Sequence, residues 1–240
     1  MQIRECESPD DVAVAGANFI FARATEAIAE RGQFTLALSG GSTPWIMFGK
    51  LAEQQFPWDR VRILQVDERA AADGDPDRNL VHIVKQLADQ VSLPAENLIA
   101  MPVTSDDLEK AASQYEQVLI ELAGEPPVLD LVHLGLGEDG HTASLVPGDP
   151  VLNTVDRDIA TTGTYEGHRR MTLTYSIINR ARHILWLITG QGKADMLSRL
   201  VQADRDIPAG RVSQHQATVV ADAAALSGTS RIKRESRKKC

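Results

Sequence analysis

Cysteine is nearly absent from this chain: among 240 residues there are two, Cys6 and Cys240. Neither lies in a CxxC pair, so a disulfide framework is not expected and a reducing compartment fits better. No spacing of His, Cys or carboxylates matches a metal site, which points to chemistry without metal or cofactor. The N-terminal segment has no apolar core of signal-peptide length. No apolar run approaches the ~18 residues of a membrane helix, so a cytoplasmic protein without membrane contact is expected. Internal repeats and low-complexity linkers are missing, as is the GxxxxGK[ST] loop that would indicate a nucleotide triphosphate. Positive charge is also short. A net charge of −8 argues against a general nucleic-acid binder.

The charge that is present is uneven. The last ten residues, RIKRESRKKC, hold six basic side chains against one acid, an excess of five that leaves −13 on the others. That stretch dominates a tail, 229–240, which reads as a solvated, frayed terminus after a single α/β domain spanning 1–228.

Helical and extended patterns alternate along the domain. Ser8-Pro9-Asp10-Asp11 starts a helix that runs through an Ala-rich segment to Gly32. FTLALSG (34–40), VRILQVDE (61–68), NLIAMPV, VLDLVHLGL (128–136), RMTLTYSIIN and HILWLITG (183–190) read as strands. Helical patterns follow Thr43-Pro44, cover NLVHIVKQLADQ, end at Gly124 and occupy KADMLSRLVQ. Apolar strands spaced by helices predict an α/β, Rossmann-like fold with a mostly parallel sheet and helices on both faces. Such sheets bind ligands at the strands' carboxyl ends. Four strands there run into polar sequence: SGGSTP, DER, GLGEDGH and TGQGK.

Each motif has a bland and a chemical reading. In SGGSTP, Gly40 and Gly41 let a ligand approach the backbone, and Ser42 and Thr43 offer donors at a helix start. An anion site and a plain capped turn are both open. Asp67-Glu68-Arg69 is a solvated loop entry unless its arginine reaches a phosphate or carboxylate. Lys193, in a Gly-rich turn before a helix, and Arg169 and Arg170, before a strand, face the same choice. GLGEDGH carries the GxGxxG spacing of a dinucleotide fingerprint. That reading needs a long helix behind it, and Pro147-Gly148-Asp149-Pro150 forbids one. The alternative is a turn that presents His141 beside Asp139. Histidine can act as general base and then general acid, and a carboxylate can fix its tautomer.

Taken in order, SGGSTP, DER with DPDRN, LGLGEDGHTASLVPG, RMTLTYSIIN, TGQGKA and IPAGRV resemble the 6-phosphogluconolactonase family. The resemblance runs from about Phe34 to Ala225. It implies hydrolysis of 6-phosphoglucono-1,5-lactone, a fold shared with glucosamine-6-phosphate isomerases, no metal cofactor, and a sugar-phosphate lactone as the partner of a monomer or weak homodimer. It also implies that His141 is the general base with Asp139 beside it. Gly40, Gly41, Ser42, Thr43, Asp67, Arg69, Arg170 and Lys193 would then bind substrate. One departure is that Tyr165-Glu166-Gly167-His168-Arg169 stands where the family has a Lys-Pro-rich stretch. Two rival readings remain: a glucosamine-6-phosphate isomerase or deaminase, and a non-catalytic sugar-phosphate sensor. The first lacks its acid, because no carboxylate falls between His141 and Asp149. The second has no use for Asp139 and His141.

Overall fold

In the computed structural model, which describes residues 1–229 and 237–240, eight strands form one sheet in which every pairing is parallel. Numbered by position in the chain, they lie in the order β11 (Arg237–Lys239), β1 (Gln2–Cys6), β10 (Ala217–Asp222), β9 (His183–Ile188), β6 (Leu131–Leu134), β2 (Phe34–Leu38), β3 (Val61–Gln65), β5 (Leu98–Ile99). A second, antiparallel sheet has the order β4 (Asp67–Arg69), β8 (Arg170–Leu173), β7 (Ile159–Thr161). Helices α1 (Pro9–Arg31), α2 (Ser42–Ala52) and α3 (Asn79–Gln86) share one core, and α4 (Leu108–Ala123), α5 (Tyr175–Arg180) and α6 (Ala194–Val201) share the other.

The period of two along each strand separates these cores. Leu36 and Leu38 join the α1–α3 side while Ala37 joins the α4–α6 side, and Ile63 and Leu64 divide likewise. Both sides of each central strand are therefore apolar, as a two-sided parallel sheet requires. Fully burying each such Leu, Ile or Val contributes roughly 1.5–3 kcal/mol.

The topology places the site. From β2 the chain moves outward through α2 to β3 and β5. It then crosses back through α4 to β6, on the other side of β2. Strands β2 and β6 are neighbours whose continuations part toward opposite faces. A crevice opens at their carboxyl ends, the switch point where such folds bind ligands.

The predicted start of α1 is present in full. Ser8 Oγ accepts from the Asp11 N–H, Asp11 returns a bond to the Ser8 N–H, and Gly32 ends the helix at φ 76°. α1 also corrects an expectation: an 18-residue window within its 23 residues has mean hydropathy 1.3, enough by length and composition for a membrane span. Here Val12, Ala13, Ala17, Ile20, Ala24 and Ala27 pack into the core.

Other departures have local causes. VRILQVDE is two strands, because Val66 changes partners: its N–H donates to Leu38 while its carbonyl accepts from Leu173. DER consequently leaves the main sheet and opens the small one. RMTLTYSIIN is a strand only to Leu173, and Tyr175–Arg180 is helical. The cysteines are joined as a Cys6–Cys240 disulfide with Cα atoms 5.1 Å apart. β11 pairs with β1 in parallel register, Glu5 beside Lys239, which sets the two thiols side by side across 234 residues. Linear spacing holds no trace of that, and the argument for a reducing compartment loses its support. Of the tail expected to fray, 230–236 lies outside the described residues and Arg237–Lys239 is an edge strand.

His133, wholly buried on β6, accepts the Ser39 N–H on Nδ1 at 3.3 Å and is therefore neutral. Burial pushes its pKa down to about 3. The unfolded chain binds this proton below about pH 6.5 and the folded chain does not, so stability falls as pH drops through that window toward 3. The slope is about 1.4 kcal/mol per pH unit once the unfolded imidazole is protonated. His133→Asn is expected to flatten the fall in unfolding free energy between pH 6 and 4, measured by urea titration. Parallel slopes for the two proteins would contradict this origin of acid sensitivity.

Candidate active site

The loop after β6 is built around missing side chains. A Cβ on Gly137 would lie 2.1 Å from His141 Nδ1 and 2.6 Å from Asp139 Oδ1, so only glycine leaves room for the pair. Gly140 turns at φ 84°, and its Cβ would meet Ile207 at 2.7 Å. The loop closes with the Gly137 N–H on the His141 carbonyl at 2.8 Å, and the Ala209 N–H donates to the Gly140 carbonyl at 2.9 Å. IPAGRV is thus the buttress of this turn. No α-helix follows the loop before α5, so the dinucleotide reading fails as expected.

Asp139 Oδ1 accepts from the His141 backbone N–H at 3.0 Å and lies 2.6 Å from His141 Nδ1. Tyr165 donates its hydroxyl to Asp139 Oδ2 at 3.2 Å. Burial pulls the Asp139 carboxyl upward. The His141 N–H, the imidazole and the Tyr165 hydroxyl outweigh it and hold the carboxyl below its ordinary value. A carboxylate on Nδ1 makes that nitrogen the donor and leaves Nε2 as a base. His141, Asp139 and Tyr165 line a cleft of about 460 Å³ together with Ser39, Gly40, Gly135, Glu138, Glu166 and Lys193.

A smaller hollow of about 180 Å³ adjoins it, sharing Gly40, Gly135 and Lys193, and is lined further by Gly41, Ser42, Thr43 and Thr189. Gly41 caps α2 at φ 124°, and the helix's first intrahelical bond runs from the Trp45 N–H to the Gly41 carbonyl. The N–H groups of Ser42 and Thr43 precede it, at the positive end of the dipole, where an anion is favoured. The Lys193 ammonium stands 3.8 Å from the exposed Glu138 carboxylate. Thr43 and Thr189 hydroxyls bond at 2.7 Å, tying the β2 loop to the β9 loop. His141, Asp139, Gly40, Gly41, Ser42, Thr43 and Lys193 are therefore brought together.

Asp67, Arg69 and Arg170 lie outside both linings. Asp67, buried, accepts from Ser144 Oγ at 2.5 Å and from Asn79 Nδ2, with Arg170 at 4.0 Å. Glu68, fully buried, takes the Asn79 and Leu80 N–H groups and so seats a carboxylate at the start of α3. Arg69 donates to the Asp77 carbonyl. Arg170 is buried behind the Tyr165 ring, its guanidinium 5.0 Å from the centroid. Arg169 points instead to Thr161 and Glu109. The strand break at Val66 takes DER out of the main sheet and pairs it with β8. Sequence reasoning passed over Tyr165, Glu138 and Glu166. The signal for Tyr165 was Glu166-Gly167, which takes φ 49° and 84° inside a Tyr165–His168 bridge, a tight hairpin turn. Among the described residues, no three His, Cys, Asp or Glu side chains gather as metal ligands.

The chain matches the family model described as glucosamine-6-phosphate isomerases/6-phosphogluconolactonase over residues 7–221. It is 42% identical to the 6-phosphogluconolactonase of Synechocystis sp. over 77% of this chain and 78% of that one. With the 6-phosphogluconolactonase of Nostoc sp. it shares 36% over 82% and 85%. The solved 6-phosphogluconolactonase of Thermotoga maritima superposes with TM-score 0.82 at 27% identity, covering 92% of this chain and 98% of that one.

Because Gly137 gives the pair its room, Gly137→Ala is expected to break the Nδ1–Oδ1 contact while lowering the thermal midpoint by no more than about 10 °C. The imidazole resonances of His141 in an NMR spectrum report the contact. Unchanged resonances in the folded variant would contradict the packing described.

Proposed function

The chain belongs to the glucosamine-6-phosphate isomerase/6-phosphogluconolactonase family, and on that premise we propose that it hydrolyses 6-phosphoglucono-1,5-lactone to 6-phosphogluconate, with His141 as general base. The single observation that carries this reading is the pairing of a carboxylate-backed imidazole with an anion hollow in one crevice. The hollow at α2 takes the 6-phosphate: Ser42, Thr43 and Lys193 line it, the first two N–H groups of the helix donate to the phosphate, and Glu138 yields the ammonium. Anchoring the phosphate fixes the ring in the larger cleft and makes the attack effectively unimolecular.

His141 Nε2 removes a proton from water, and the hydroxide oxygen bonds to the C1 carbonyl carbon. Asp139 holds Nδ1–H and stabilises the imidazolium. Collapse of the tetrahedral intermediate breaks the C1 bond to the ring oxygen. That oxygen takes the proton from Nε2, which returns the imidazole to its starting state and releases the open-chain acid. The product places the enzyme in the oxidative pentose phosphate pathway. Action as a monomer or weak homodimer in the cytoplasm is part of the same proposal.

The test is a lactone-hydrolysis assay corrected for the spontaneous rate. His141→Ala is expected to lower kcat by about 10²–10⁴-fold with KM within about threefold. Lys193→Ala is expected to raise KM about tenfold or more, with the smaller effect on kcat. Near-normal turnover in folded His141→Ala overturns the general base. Ammonia release from glucosamine 6-phosphate in place of lactone hydrolysis overturns the substrate.

A further inference from the structure

Tyr165 lies opposite the Gly-rich loops and touches the reacting pair at two points. Its hydroxyl donates to Asp139 Oδ2 at 3.2 Å and stands 3.5 Å from His141 Nδ1. Its ring meets the imidazole edge-on, with centroids 5.5 Å apart.

The ring is held from behind. The Arg170 guanidinium, buried, sits 5.0 Å from its centroid, and Arg170 also donates to the Tyr165 carbonyl at 3.3 Å. The hairpin around it is closed by the Tyr165–His168 backbone pair at 3.0 and 3.2 Å. His168 reaches Asp77 at 3.2 Å, which fastens the hairpin to the segment before α3. A tyrosine locked at both backbone and ring restricts where its hydroxyl can be.

Resting on the reading of His141 as the base, we propose that Tyr165 is a positioning residue that divides the Asp139 carboxylate between its own hydroxyl on one oxygen and the two His141 donors on the other. With Oδ2 taken by the tyrosine, Oδ1 is left for the His141 backbone N–H and Nδ1–H. The imidazole is thereby held in one tautomer and one orientation, with Nε2 toward the cleft. Burial first, then the Asp139 and Glu166 charges, raise the affinity of the phenol for its proton, so the hydroxyl remains a donor at neutral pH. Arg170, outside the cleft lining, acts through Tyr165.

Tyr165→Phe keeps the ring and removes the donor. It is expected to lower kcat about tenfold with KM within about twofold and an unchanged thermal midpoint. The acid limb of the kcat/KM profile moves to higher pH, because the imidazolium then faces the full Asp139 charge. Glu138, Glu166 and Lys193 around the cleft, and Arg170 behind it, are the same in both proteins. In an Asp139→Asn background the Phe substitution has no further effect. Nitrogen-15 spectra of His141, read without turnover, show one tautomer in the native enzyme and a mixture in Tyr165→Phe. A Phe variant with native kcat, native acid limb and a single tautomer overturns the proposal, as does a Phe effect that multiplies with Asp139→Asn. Full activity in His141→Ala would instead remove the reading on which it rests.

Discussion

Adjacent parallel strands β2 and β6 send their chains to opposite faces of the sheet, and the gap at their carboxyl ends is the constraint on which the rest depends. Whatever lines that gap must come from loops. The loop after β2 starts a helix at once, so it offers backbone N–H groups and a positive dipole. The loop after β6 starts no helix, so it can fold back on itself and present side chains. One crevice thereby gains a helix N-terminus and a carboxylate–imidazole pair, supplied by segments nearly a hundred residues apart in the chain.

Holding that arrangement takes a second layer of buried charge. Isolated carboxylates in an apolar interior are costly, and these are not isolated. Glu68 receives N–H groups from the start of α3, and Asp67 joins the turn after His141 to β8 through Ser144 and Arg170. Removing one partner would leave an uncompensated buried charge, a loss typically of 3–5 kcal/mol. DER accordingly builds the small sheet whose β7–β8 connection carries Tyr165.

What was legible in the sequence follows from local chemistry. Ser8-Pro9-Asp10-Asp11 specifies a helix start by short-range bonds, and it formed as written. The alternation of apolar runs with helical patterns specified a two-sided parallel sheet. GLGEDGH was told apart from a dinucleotide loop by the proline stop behind its glycines. What escaped depended on long-range register. The change of partners at Val66 needs β8 to be in place. The Cys6–Cys240 bond needs β11 beside β1. The aim of Tyr165 needs a hairpin turn at Glu166-Gly167 and a guanidinium arriving from the next strand. None of these leaves a periodic mark.

The central claim is a division of labour: phosphate at the α2 start, chemistry at His141. A crystal structure of the enzyme with 6-phosphogluconate tests it most directly. The account predicts phosphate oxygens within hydrogen-bond distance of the Ser42 and Thr43 N–H groups and of Lys193 Nζ, with the C1 carboxylate beside His141 Nε2. A phosphate bound at His141 or Arg69, with C1 directed away from the imidazole, would contradict it.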